Sequence, residues 1–374
     1  MQRKTLLYVF GIATILGLIL GAGFFANELR IKILAGPDKN QLEVDQKQLP
    51  DLNSLVNGKG LKQNNSEIPS PNVPPRPPVA PSPEQPTPPP IEKTEDAPAK
   101  VPEEKKDSFS FAVLGDTQKF DSEKTDGGLQ QAVKNIKEKN VDLIMTEGDL
   151  LSSCDGGSGC KDRLNKWKNI FGDIFSKTYE VMGNHDRSGK EKSDSLWQEF
   201  FDLPKNGPSG YEELVYSYDF ENSHFVVLNS EKPDEHKINK TQLDWLEKDL
   251  KDNKKDNTFV FFHEPAYPVS KHIGSSLDVN PIDRDALWKI LKEKKVTAVF
   301  NGHEHIVSRK KIDGIYQYIF GNTDATSYEL PKEGVADYSY QGKSYGIVEV
   351  KGKEVNVNVY SFDGKSLDSF KISN

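Results

Sequence analysis

Only two cysteines, Cys154 and Cys160, occur in the 374 residues, and no second pair of metal-ligating residues stands near them, which argues against a structural zinc site. No internal repeat is present, and neither is a glycine-rich phosphate cradle. Lysine is plentiful but mixed with Asp and Glu at a formal net charge of -8, so no concentrated basic face is offered and nucleic acid is not an expected partner. Charge is missing altogether from Thr5 to Asn27.

That uncharged stretch is almost wholly apolar from Leu6 to Ala26, close to the ~20 residues a helix needs to cross a bilayer. A cleaved secretory signal carries a shorter apolar region of about 7–15 residues, and Phe24-Phe25-Ala26 is a poor small-residue cleavage site. Residues 1–27 therefore read as an uncleaved transmembrane signal anchor. Arg3 and Lys4 favour a cytoplasmic N-terminus, although Arg30 and Lys32 on the other flank weaken that argument.

Residues 28–107 read as a disordered, Pro-rich linker. Between Pro71 and Pro90, eleven of twenty residues are proline, which has no amide donor and a fixed φ, so neither a helix nor a sheet interior can form. An extended stalk of roughly 3 Å per residue explains the composition better than a docking site for a proline-reading domain. Its polar flanks offer too little apolar surface to fold.

From Ser108 the texture becomes globular. Phe109–Leu114, Val141–Thr146, Thr178–Met182, Thr258–Phe262 and Val296–Phe300 read as buried strands, with helices of 3.6-residue period between several of them. Leu164, Trp167, Ile170, Phe171, Ile174 and Phe175 form one apolar stripe at helical spacing, which points to core packing. Val215–Phe220 and His224–Asn229 alternate as a hairpin turning at Glu221-Asn222-Ser223, with His224 a structural or exposed residue. The tail after Lys310 is strand-rich. Strands alternating with helices, followed by such a tail, predict an α/β domain with a second, mixed sheet.

Five of these strands stop being apolar and at once offer metal-ligating groups. They lead into Gly115-Asp116-Thr117-Gln118, Gly148-Asp149, Gly183-Asn184-His185-Asp186, His263-Glu264-Pro265 and Gly302-His303-Glu304-His305. Ligands in open α/β sheets gather at the carboxyl ends of strands. Oxygens from three loops together with three imidazoles suit a pair of divalent cations about 4 Å apart, a common device for phosphoryl displacement. Separately, Cys154 and Cys160 flank a flexible Asp-Gly-Gly-Ser-Gly loop and read as a small disulfide formed outside the cytoplasm.

In this order, each after a strand, the motifs resemble the calcineurin-like metallophosphoesterase family over residues 108–330. The resemblance implies an α/β/β/α sandwich of four layers and two mixed sheets, filling residues 108–374. It makes Asp149 the carboxylate shared by two divalent metal ions. Asp116, Gln118 and His305 would complete one site, and Asn184, His263 and His303 the other. A hydroxide shared by the ions would attack phosphorus, His185 would protonate the leaving group, and Asp186 would orient that imidazole and raise its pKa. The family usually has Asp-x-His where this chain has Asp116-Thr117-Gln118, a harder oxygen donor that favours Mn²⁺, with Mg²⁺, Fe or Zn²⁺ as alternatives. Purple acid phosphatases need a ligating Tyr three residues after the bridging Asp, and Ser152 in that position sets them aside.

The expected activity is thus a membrane-anchored, extracytoplasmic phosphoesterase acting on a phosphorylated small molecule or cell-envelope substrate through a monoester, diester or nucleotide pyrophosphate linkage. The rival is a non-catalytic surface binding module on the same fold. Loops 150–162, 187–191 and 266–280 are expected to line the substrate pocket. Arg187 is expected to be exposed and solvated rather than on phosphate.

Overall fold

The apolar segment Ser108–Leu114 forms β1 at the interior of a six-stranded sheet in the computed structural model, which describes residues 108–122 and 125–372. The anchor and stalk read in residues 1–107 lie outside these. Among the described residues no helix is long and apolar enough to cross a membrane.

β1 pairs in parallel with β2 (Leu143–Thr146), which pairs in parallel with β3 (Thr178–Glu180). Helix α1 (Gly128–Lys139) connects the first two strands and α2 (Ser158–Phe171) precedes the third. On its other edge β1 meets β11 (Ser344–Lys351) antiparallel, followed by β12 (Glu354–Ser361) and β13 (Ser366–Ile372). This is the strand-rich tail, which completes the first sheet and contributes to the second.

The second sheet runs β10 (Tyr338–Tyr340), β8 (Val307–Ile312), β9 (Ile315–Phe320), β7 (Ala298–Asn301), β6 (Asn257–Phe261), β5 (Ser223–Val227) and β4 (Tyr216–Phe220). Its strands β5, β6, β7 and β9 are parallel, and both sheets are mixed. Three further helices are α3 (Glu191–Phe200), α4 (Lys240–Asp252) and α5 (Pro281–Glu293). The β4–β5 hairpin turns on Glu221-Asn222, a residue tighter than the sequence suggests, with Glu221 in the left-handed region at φ 48°.

Alternation along the strands sorts the core. Phe111 stands edge-on to Phe225, Phe259 and Phe300 of the other sheet, at centroid distances of 5.3, 5.1 and 6.1 Å. Val260 and Phe262, out of phase with Phe259 and Phe261, instead share a cluster with Leu246 of α4 and Leu287 and Leu291 of α5. Truncating a fully buried ring such as Phe111 to Ala costs about 3–5 kcal/mol by loss of transfer energy plus the cavity. The apolar stripe from Leu164 to Phe175 does not lie on one helix. α2 ends at Gly172, whose φ of 59° suits a residue without Cβ, and Ile174 and Phe175 follow on a 3₁₀ turn.

Candidate metal centre

The parallel strands β1, β2, β3, β6 and β7 deliver their C-terminal loops to a common rim. Ligand atoms of Asp116, Asp149 and His263 all lie within 4.8 Å of one another, and all three residues are buried. His263 Nε2 is 3.4 Å from Asp149 Oδ1 and 3.0 Å from Asn184 Oδ1. His303 Nδ1 is 3.2 Å from the same Asn184 oxygen. His305 Nε2 is 3.3 Å from Asp116 Oδ1. Gln118 lies in the Asp116 loop, where its Oε1 is buried without a hydrogen-bond partner.

The imidazoles are oriented by backbone. His263 Nδ1–H donates to the Glu147 carbonyl at 2.7 Å, His303 Nε2–H to Ser275 O at 3.0 Å, and His305 Nδ1–H to Thr326 O at 2.9 Å. Each ring thereby turns its remaining nitrogen, with a lone pair, toward carboxylate or amide oxygens that also carry lone pairs. Such crowding of acceptors is stable only around positive charge. Asp116 Oδ1 is buried with no hydrogen bond of its own. Burial alone pushes the His263 ring toward its neutral form, yet the Asp149 and Asp116 charges outweigh it and hold the pKa well above the usual imidazole range, so that without a cation a second proton, on Nε2, would supply the positive charge that this nest of oxygens calls for. Burial likewise pushes Asp149 up, but the neighbouring imidazoles, His263 foremost, hold it below the ordinary carboxylate range. The donor set fits divalent cations.

Backbone strain accompanies the geometry. Asp116, Asp149 and His303 have φ of 52°, 51° and 68°, left-handed values that cost non-glycine residues free energy and cluster at functional sites. Close approach explains the flanking glycine Gly183, where a Cβ would come within 2.3 Å of Asp149 Oδ1. Backbone N–H groups also tie both carboxylates to the loops. Asp149 Oδ1 accepts the His185 N–H at 2.9 Å, and Asp116 Oδ2 the His303 N–H at 3.0 Å. Trp167 also reaches the site, donating its indole N–H to Thr117 Oγ1 while that hydroxyl donates to Leu150 O.

His185 stands at the rim with 45% of its side chain accessible and Nε2 3.9 Å from Asp149 Oδ2. Asp186 does not orient it, contrary to what the resemblance implies. The Asp186 carboxylate turns away and accepts the N–H groups of Leu150, Leu151 and Gly183 at 3.2, 3.1 and 3.0 Å. Burial and the Asp149 charge push its pKa up to about 7. The His185 ring is held instead by the Ser152 carbonyl, which accepts its Nδ1–H at 2.7 Å. Arg187 is not the exposed, solvated side chain expected. It is buried, gripping Asp194 at 2.8 and 3.2 Å and donating to Glu231 O at 2.7 Å.

Cys154 and Cys160 are joined as a disulfide with Cα atoms 5.1 Å apart. The stapled loop packs on the His185 segment: Cys154 N–H donates to His185 O, and Cys154 O accepts from Gly189 N–H and Ser193 Oγ–H. Beside Asn184 opens a cleft of about 280 Å³, walled by Glu231, Asp234 and Glu235 as well as Arg187 and Lys190. Of these, only the 187–191 segment was expected to line it.

Two rim residues lie outside the five strand-end motifs, His272 in the 266–280 loop expected to line the pocket and Tyr328 in a segment the sequence reading did not single out. His272 packs on His303 with centroids 3.9 Å apart, and Tyr328 stacks on His305 at 4.1 Å. Burial foremost pushes His272 down to about 4, while burial and then the Asp116 charge push Tyr328 up to about 12. Both sit in irregular segments with no periodicity, where no pattern marks an individual side chain. His224, by contrast, is structural as expected, paired on both nitrogens with Asp219 and Asp249 at 2.7 and 2.8 Å.

The fold and the metal-ligating rim define a dinuclear metallophosphoesterase. The model of the calcineurin-like phosphoesterase family matches residues 109–307, and the chain belongs to that family. It is a metal-dependent phosphoric ester hydrolase. Among curated relatives it is similar to tartrate-resistant acid phosphatase type 5 of Sus scrofa, 23% identical over 63% of this chain and 77% of the relative. It is also similar to a cAMP/cGMP dual specificity phosphodiesterase of Mycobacterium tuberculosis, 23% identical over 54% of this chain and 61% of that protein. Among solved structures, a purple acid phosphatase from yellow lupin seeds superposes with a TM-score of 0.62 at 16% identity, covering 71% of this chain and 54% of the lupin chain. The chain thus spans about half the length of the lupin enzyme. The group set aside on Ser152 therefore returns as a likeness of fold. Ser152 itself still offers no phenol, and its Oγ accepts from Arg163 Nη2 at 3.0 Å.

Proposed function

We propose that this chain is a membrane-anchored, extracytoplasmic phosphoesterase whose two divalent cations are held by Asp116, Gln118 and His305 on one side and Asn184, His263 and His303 on the other, with Asp149 between them. The observation that carries the reading is the common orientation of the three imidazoles, each spending one N–H on a backbone carbonyl and turning its other nitrogen to the oxygens of Asp116, Asn184 or Asp149. Bound divalent cations supply Lewis acidity and a nucleophile at neutral pH. The chain's own residues do the rest. His185, accessible and held at Nδ1, keeps Nε2 free to pass a proton to the departing oxygen. The oxygen-rich set including Gln118 favours Mn²⁺ or Mg²⁺ over softer ions.

The four-layer α/β/β/α arrangement accords with helices packing on the outer face of the second sheet. The apolar run 6–26, the basic Arg3 and Lys4 and the Cys154–Cys160 disulfide together support display outside the cytoplasm. The acid phosphatase and cyclic nucleotide phosphodiesterase likenesses keep both monoesters and diesters in view as substrates, alongside pyrophosphates.

The test uses the full chain in detergent, stripped with a chelator and reloaded with Mn²⁺. Metal is counted by mass spectrometry and turnover measured on a monoester, a diester and a nucleotide pyrophosphate. Two ions per chain and metal-restored turnover on at least one linkage support the reading. Two ions with no turnover on any of the three would favour the binding-module alternative.

A further inference from the structure

The segment after β9 lays the Tyr328 ring over His305, the planes only 16° apart. The phenol oxygen is 3.4 Å from His305 Nε2, but the stack places it above the imidazole, whereas the nitrogen's lone pair lies in the ring plane. A hydroxyl approaching from there makes a poor hydrogen bond. His272 Nε2 approaches the same oxygen at 3.3 Å, and His272 Nδ1 faces Ser275 Oγ at 3.1 Å. Ser275 Oγ reaches the His272 carbonyl only at 3.4 Å, so its hydroxyl is better placed to donate to Nδ1 at 3.1 Å; the His272 Nε2–H then donates to the phenol oxygen, and the phenol's own proton is left free of both imidazoles.

The platform is rigid. Fully buried Glu304, between the two imidazoles of Gly302-His303-Glu304-His305, accepts the N–H groups of Val269, Ser270 and His272 at 2.9, 2.7 and 3.1 Å. The Tyr328 N–H donates to His305 O at 3.1 Å. Both segments are thereby fastened to the strand-end loop that carries the ligands, on the side of the rim served by Asp116 and His305.

We propose that Tyr328 is a substrate-contacting residue: its O–H donates to an oxygen of the phosphoryl group bound on the Asp116–His305 side, with His272 as the positioning residue that aims it. This inference rests on the phosphoesterase reading above. It assigns anion recognition to a side chain from outside the five strand-end motifs, where one preset hydrogen bond to a charged oxygen is worth about ten- to a hundredfold in affinity.

The experiment compares wild type, Y328F, H272N and the double variant as full chains loaded with Mn²⁺. Inorganic phosphate binding is followed by calorimetry, metal content by mass spectrometry, and KM and kcat on a monoester. Y328F is expected to keep two ions per chain and bind phosphate about ten- to a hundredfold more weakly. H272N should weaken phosphate in wild type and have no further effect once Tyr328 is Phe, a coupling that a merely structural histidine does not produce. Phosphate binding by Y328F within twofold of wild type overturns the inference, as does loss of an ion from Y328F, which would make the phenol a ligand instead. A wild type that holds neither metal nor phosphate overturns the underlying reading too, so the two failures are distinguishable.

Discussion

His185 donates its Nδ1–H to the carbonyl of Ser152 at 2.7 Å, and this bond decides which nitrogen of the ring faces the metal-ligating cluster. Nε2 is left free, 3.9 Å from Asp149 Oδ2, at an accessible rim. His185→Ala should therefore lower kcat by about 10²–10⁴-fold, the usual worth of a positioned acid, with two ions still bound. Steady-state kinetics alongside metal counting checks this. Loss of metal together with rate would mean that the imidazole is a ligand.

Asp186 has a different task from its neighbour. Its carboxylate gathers the N–H groups of Leu150, Leu151 and Gly183, so it fastens the Asp149 loop to the Asn184 loop. Asp186→Ala leaves three buried donors without partners and should cost about 2–5 kcal/mol in urea unfolding. Asp186→Asn, at a side chain whose hydrogen bonds go to Leu150, Leu151 and Gly183 and not to the His185 ring, should leave the acidic-to-basic shape of the pH–rate profile in place. A profile that moves with Asn would restore the orienting role.

Much of the site was legible because ligand chemistry survives in one dimension. Apolar strands that end in Gly-Asp, Gly-Asn-His or Gly-His-Glu-His announce both the strand and its catalytic edge, and parallel pairing brings those edges together. What adjacency could not reveal is where a side chain points after a sharp turn. Asp186 follows His185 in sequence yet faces the opposite way, and Arg187 leaves the rim for Asp194 seven residues on. Tyr328 and His272 reach the site through irregular backbone, which carries no period to read. The stripe of Trp167 and Phe175 looked like one helix because a 3₁₀ turn preserves nearly the same spacing.

The contact between Gly183 and Asp149 makes a sharper test of metal retention. A methyl group on residue 183 would come within 2.3 Å of Asp149 Oδ1 and 2.4 Å of its backbone nitrogen, and the second of these is main chain that cannot swing aside. Gly183→Ala should displace Asp149, the residue proposed between the ions. The variant is expected to bind fewer than two ions per chain while its far-ultraviolet circular dichroism stays that of wild type. Full metal occupancy in G183A would separate Asp149 from the metals.

Away from the rim, Glu180 at the end of β3 sets a pH dependence of stability. Burial pushes its carboxyl up to about 8 from an ordinary 4.5, against the hydrogen bond from Thr178. Geometry agrees: Thr178 has one hydroxyl proton and two neighbours, Phe175 O at 2.7 Å and Glu180 Oε1 at 2.5 Å. Both contacts are satisfied when the threonine donates to the carbonyl and a protonated Glu180 donates to the threonine. The folded pKa lies above the unfolded one, so this contribution to stability is fully present below pH 4.5 and is lost as pH rises toward 8. Across that window the loss is on the order of several kcal/mol, because each unit of difference is worth about 1.4 kcal/mol. Glu180→Gln keeps the shape and a donor but cannot ionise. Its unfolding free energy should exceed that of wild type at pH 8 and match it near pH 5. Parallel slopes for the two proteins across the range would show that Glu180 stays charged in the folded chain.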